Sequence, residues 1–78
     1  MLFRSALVAA GGGLADLAHI VNKAPDYLRA SGWLLLEHGY TQGSAVRELL
    51  IARGFKGVET REDLAGQERI SGGQWRVE

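Results

Sequence analysis

The sequence predicts an α/β fold of about three strands, one of them antiparallel, and two helices. Three observations carry that expectation. Gly32-Trp33-Leu34-Leu35-Leu36-Glu37 is an apolar run without alternation that stops at a carboxylate, the form a parallel strand takes when helices cover both of its faces. Two segments with apolar residues at helical spacing flank that run and supply the cover. The stretch 58–75 divides at Asp63-Leu64-Ala65-Gly66 into two strand-like halves, and strands joined by so short a turn are antiparallel.

Taken in order, residues 1–13 read as an extended or loop lead-in, flexible at its glycines. Residues 7–10 make a poor strand, and Gly11-Gly12-Gly13 raises the entropy lost by a fixed backbone. A helix is expected over 14–29, with Leu14, Leu17, Val21, Ala24 and Leu28 on one stripe, Ile20 and Tyr27 widening it, and Asp16 at the positive end of the dipole. Pro25 lacks a donor and clashes with the carbonyl of Val21, so a kink or break belongs near residues 21–25. The strand at 33–37 follows, then a turn with Thr41 as N-cap candidate, then a helix over 42–53. In that helix Ala45, Val46, Leu49 and Leu50 face inward and Arg47, Glu48 and Arg53 face outward. Gly54 suits a left-handed cap, with Phe55 folding back on Leu50. A hairpin over 57–61 and 67–75 closes the chain, with Ile70 and Trp75 as candidate packing residues.

Size and composition limit what the chain does. Its 78 residues make one domain at most, and a chain of this length covers only about 60% of its unfolded surface on folding. Nine Lys+Arg balance nine Asp+Glu, and without a basic cluster direct binding to nucleic acid is disfavoured. The absence of cysteine excludes disulfides, thiolate zinc sites and cysteine nucleophiles, and a cytoplasmic location is expected. The leading apolar residues are interrupted by Arg4 and Ser5, too soon for a secretory signal. No run approaches the ~20 apolar residues that cross a bilayer, so no membrane partner is expected.

A strand such as 33–37 needs a neighbour on each side. The hairpin supplies one, and only the doubtful amino-terminal segment is left for the other. The chain therefore reads as the second half of something larger, with an open apolar edge prone to self-association. Polar residues at the carboxyl end of such a strand lie on the rim where open α/β sheets bind ligands, so Glu37 and His38 are the first site candidates. The plain alternative is that they are the first solvated residues beyond the core. His19 has no second ligand at i+4, and no metal site is expected.

The order of residues resembles the carboxyl-terminal part of the bacterial protein-(glutamine-N5) methyltransferases that modify peptide-chain release factors, the PrmC/HemK family. The similar stretches are SALVAA at 5–10, GLADLAHIV at 13–21, GWLLLEHG at 32–39, QGSAVRELL at 42–50 and GFKGVETREDLAGQERI at 54–70. The chain departs from the family in its glycine-rich lead-in and in Ala30-Ser31-Gly32, where Pro-Gly-Gly is commoner. The resemblance implies part of a class I, Rossmann-like methyltransferase sheet whose last strand is antiparallel and inserted between the fifth and sixth. Residues 33–37 would be the fifth strand, 57–61 the sixth and 67–75 the seventh, and the missing neighbour would be the fourth. By the same resemblance the intact enzyme transfers a methyl group from S-adenosylmethionine to the side-chain nitrogen of the glutamine in a release factor's Gly-Gly-Gln loop.

The family's Asn-Pro-Pro-Tyr motif and its glycine-rich cofactor loop are not in this chain. No catalytic or cofactor-binding residue is therefore expected here, and the chain alone should be inactive and bind no S-adenosylmethionine. Gly11 to Gly13 do not supply the loop, because they follow a poor strand and residues 29–32 hold no acid to grip a ribose. What the resemblance leaves to this chain is a side facing the protein substrate: Leu7 and Val8 in the lead-in loop, Glu37 and His38 on the rim, and Asp63 and Arg69 in the hairpin loop. For Asp63 and Arg69 a pair that stabilises the turn is the plainer expectation. Two rivals remain. Gly72-Gly73-Gln74 spells the release-factor tripeptide itself, but in a neutral chain with no surroundings for ribosomal RNA. A non-catalytic interaction module would instead use an exposed strand edge for β-augmentation.

Overall fold

The computed structural model describes residues 6–10 and 12–76; what the sequence suggests for residues 1–5 and 11 lies outside them. The elements are β1 (Ala6–Ala10), α1 (Leu14–Lys23), a 3-10 turn (Ala24–Asp26), β2 (Gly32–Glu37), α2 (Gly43–Arg53), β3 (Lys56–Glu62) and β4 (Glu68–Trp75). One sheet holds the four strands in the order β1-β2-β4-β3. β1 runs parallel to β2, from Ala6 opposite Trp33 to Ala10 opposite Glu37. β4 runs antiparallel to both β2 and β3.

Two expectations are corrected here. Residues 6–10 form a strand and not a loop, which makes four strands where three were expected. The Ala-rich segment has weak strand propensity of its own, and the ladder offered by β2 overrides it. As a result β2 has a strand of its own chain on both flanks, and the argument from a missing neighbour of residues 33–37 falls. Among the described residues the outer strands of the sheet are β1 and β3 instead.

The second correction concerns the helices. Leu34 and Leu36 are buried while Trp33 and Leu35 are half-buried, so the run alternates in burial although not in composition. Leu17 and Val21 of α1, Val46 and Leu50 of α2, Phe55, Ala24, Leu34 and Leu36 make one core cluster. Both helices therefore cover the same face of the sheet. The topology explains this: β1-α1-β2 and β2-α2-β3 step across the sheet in the same direction, and right-handed crossovers that step one way leave their helices on one side.

Local chemistry sets the element ends. α1 stops at Lys23, and Pro25 sits in the 3-10 turn that follows, where its missing N–H breaks the helix. Tyr27, expected on the apolar stripe, is exposed beyond that break. The residue that leads α2 is Gln42 and not Thr41; its side chain accepts from the Gly39 N–H at 2.8 Å instead of capping the helix. At the other end Gly54 takes φ 109°, the Phe55 N–H reaches the Leu50 carbonyl at 3.0 Å and the Gly54 N–H reaches that of Ile51 at 3.1 Å, a Schellman cap. The Phe55 ring meets Trp75 with centroids 5.1 Å apart. Ile70 is exposed and packs less than expected.

Candidate functional site

The residues singled out at the carboxyl end of β2 meet the hairpin loop on one rim. Glu37 ends β2 and is exposed, opposite Ala10 of β1 and Ile70 of β4. His38 extends the pairing by one residue, its N–H donating to the Arg69 carbonyl at 2.9 Å. Its imidazole then turns inward and is only 7% exposed. The expectation of a substrate-facing His38 is therefore corrected: both ring nitrogens are engaged inside the molecule. Nδ1 lies 2.8 Å from the Gly39 carbonyl, which only accepts, so Nδ1 carries a proton. Nε2 lies 2.7 Å from the buried Ser71 hydroxyl.

Behind Ser71 the chain of polar groups continues. Its hydroxyl is 2.6 Å from that of Thr60, and Arg47 donates to Thr60 at 2.7 Å. Glu68 holds Arg47 at 3.2 Å, and its carboxylate lies against Gly43, in the space a Cβ there would take. α2 has no acid of its own in its first turn, so Glu68 supplies negative charge at that positive helix end. Sequence reasoning missed this group. Helical spacing turns Arg47 outward, and Thr60 and Ser71 are ordinary strand positions in the sequence; the signal it does carry is a pair of hydroxyls on strands that face a helix.

Asp63 and Arg69 are adjacent, as a turn-stabilising pair would be. The Asp63 carboxylate accepts from the Gln67 N–H at 3.0 Å and the Ala65 N–H at 2.9 Å, and from Arg69 Nε at 3.3 Å. The Gln67 N–H, helped by Ala65 and the Arg69 guanidinium, holds this carboxyl below its ordinary value. Arg69 also donates to Gln67 at 3.0 Å and lies over the Tyr40 ring, 5.6 Å from its centroid. Tyr40 is exposed beneath it, and Leu64 is exposed in the hairpin turn. Leu7 and Val8 are elsewhere: they sit within β1 opposite Leu34 and Leu35, beside an open cavity that Ile20, Ala24 and Tyr27 also line.

The rim offers a carboxylate, a stacked cation and apolar surface, a set suited to recognition. Its imidazole is committed to internal bonds, and among the described residues no three His, Cys, Asp or Glu side chains group to hold a metal. Gly12 and Gly13 do connect a strand to α1, contrary to the poor strand expected there. No helix among the described residues is long and apolar enough to cross a membrane.

No family model matches the chain. Curated relatives do. It is 64% identical over 72 residues to the release factor glutamine methyltransferase of Pseudomonas aeruginosa, which covers 92% of this chain and 26% of that protein. It is 55% identical over 73 residues to the protein of that name from Yersinia pestis, covering 94% of this chain and 26% of that one. Against the Escherichia coli protein of the same name it is 45% identical over 71 residues, 91% of this chain and 26% of that protein. The chain thus spans about a quarter of the length of the curated relatives it matches.

Proposed function

From the premise that this chain belongs, over nearly its whole length, to the release factor glutamine methyltransferase family, we propose that it is the carboxyl-terminal part of an enzyme that methylates the glutamine side-chain nitrogen in a release factor's Gly-Gly-Gln loop. Beside the sequence identity, one structural observation supports the reading: β4 is antiparallel and inserted between β2 and β3, the strand arrangement that the resemblance implies. The proposed setting is the cytoplasm.

S-adenosylmethionine supplies an electrophilic methyl group when bound, and the glycine turn into α1 offers it little to hold. The turn into α1 has no side-chain cap, and a Cβ on Gly12 would lie 3.9 Å from an oxygen of Asp16. That carboxylate already serves the positive end of α1. The cofactor is assigned to residues outside this chain. What these residues do is present the rim of Glu37, Tyr40, Leu64 and Arg69 to the protein substrate. An amide nitrogen is a weak nucleophile, so its methylation depends on positioning, to which such a surface contributes.

The test is methyl transfer to a release factor. The intact enzyme carrying these residues is expected to transfer it and the 78-residue chain to transfer none; methylation by the chain alone overturns the assignment. A second, non-catalytic reading is favoured by one observation. Val8 on the open edge of β1 is 65% exposed, as a docking edge for β-augmentation would be, and self-association through that edge is its simplest form.

A further inference from the structure

His38 is the buried ionisable residue that the proposed reaction leaves without a task. We propose that Arg47, Thr60, Ser71 and His38 form a positioning relay that holds the rim loop of residues 38–42 in one arrangement, and with it the Tyr40 surface offered to the protein substrate. The substrate side of this proposal rests on the methyltransferase reading above; the relay itself does not.

The two ends of the relay fix its direction. A guanidinium only donates and a carbonyl only accepts. Between Arg47 and the Gly39 carbonyl each hydroxyl gives one proton and takes one. A single assignment satisfies every member: Arg47 Nη1–H to Thr60 Oγ1 at 2.7 Å, Thr60 O–H to Ser71 Oγ at 2.6 Å, Ser71 O–H to His38 Nε2 at 2.7 Å, and His38 Nδ1–H to the Gly39 carbonyl at 2.8 Å. Placing the imidazole proton on Nε2 instead sets a bare Nδ1 against the Gly39 carbonyl, two acceptors with no proton between them. It also leaves Thr60 accepting from both Ser71 and Arg47, with no acceptor in the relay for its own proton. Among the described residues no buried side-chain polar atom lacks a partner, and a network satisfied throughout specifies one arrangement.

The relay ends on a glycine that Gln42 also holds. The Gly39 carbonyl also accepts the Gln42 N–H at 3.0 Å, while the Gly39 N–H is held by Gln42 Oε1 at 2.8 Å. Every polar atom of the Gly39 backbone is thus engaged, and Tyr40 leaves that fixed point to lie beside Arg69. The group that sets the direction, Arg47, belongs to α2, and its bond crosses β3 and β4 before it reaches the loop. The rim loop is in this way tied to α2 twice, by the relay from Arg47 and by the Gln42 carbonyl, which accepts the Val46 N–H at 2.9 Å.

Imidazole nitrogen NMR on the isotopically labelled chain tests this without any methyl transfer. A proton on His38 Nδ1 with Nε2 bare is expected; a proton on Nε2 overturns the relay. In Thr60→Val, which keeps the shape and removes the hydroxyl, His38 should become a mixture of tautomers. The amides of Gly39 and Gln42 should exchange about tenfold faster, the factor expected for one lost hydrogen bond, and Thr60→Ser should restore both. Unchanged exchange at Gly39 and Gln42 in Thr60→Val overturns the positioning role. Should that variant not fold, the tautomer of the unaltered chain and of Thr60→Ser still decides. In the intact enzyme Thr60→Val should raise KM for the release factor about tenfold with kcat held; a fall in kcat at constant KM overturns the link to substrate. An enzyme that methylates no release factor, with the His38 tautomer as assigned, removes only the reading of function.

Discussion

Gly72 and Gly73 have no room for a methyl group. A Cβ on Gly72 would stand 2.9 Å from the Leu34 carbonyl, and one on Gly73 would stand 2.9 Å from Cβ of Phe55. Both contacts are to atoms that move only with the backbone, so Gly73→Ala is expected to cost about 1–3 kcal/mol, read as a lower urea midpoint with unchanged slope. The Gly72-Gly73-Gln74 tripeptide is therefore explained by packing in β4, not by release-factor chemistry. Asp63 makes a different prediction. Its folded-state pKa is depressed by the backbone N–H of Gln67 first, so the loop's stabilisation is present above the ordinary carboxylate value of 3.8 and is lost as pH falls through the lower folded value. Protection of the Ala65 and Gln67 amides should hold down to that range and fail below it, and Asp63→Asn should flatten the dependence. That Glu37, Asp63 and Arg69 stand at a strand end or turn is legible in the sequence, because the cause is local. The inward imidazole of His38 was not, since its direction is decided by Ser71, 33 residues away.

At the scale of elements, what the sequence revealed depended on how local the cause is. The Schellman cap was readable because Gly54 and Phe55 adjoin the helix they close. Gly54→Ala forces a side chain into φ 109° and should cost about 1–2 kcal/mol, measured by thermal or urea unfolding. The break before Pro25 was readable for the same reason. β1 was not, because five residues of Ala, Leu and Val carry little strand preference and owe their form to the ladder on β2. Nor was the single helical face: composition gave the apolar run of β2, but only the direction of both crossovers decides which of its side chains are covered.

The whole molecule is a slab 35 × 28 × 16 Å, one sheet under one layer of helix, with unequal edges. β3 carries Lys56, Glu59, Arg61 and Glu62 and two register shifts, devices that keep an edge from pairing. β1 pairs with β2 in unbroken register and offers Leu7 and Val8 without a charge. The isolated chain should therefore associate as its concentration rises, by size-exclusion chromatography, and Val8→Lys should shift it toward monomer; a concentration-independent monomer would falsify the edge argument. Sequence reasoning reached the larger partner by the wrong strand. It placed the open flank on β2, whereas relatives of whose length this chain spans about a quarter carry that conclusion.

The place of β4 between β2 and β3 bears on how the sheet is made. During synthesis β2 and β3 emerge with nothing to join them, because the strand that bridges the two is the latest of the described strands to leave the ribosome. A nascent chain halted before Glu68 can pair β1 with β2 but cannot place β3 in the sheet, so that last joining waits on residues 68–75.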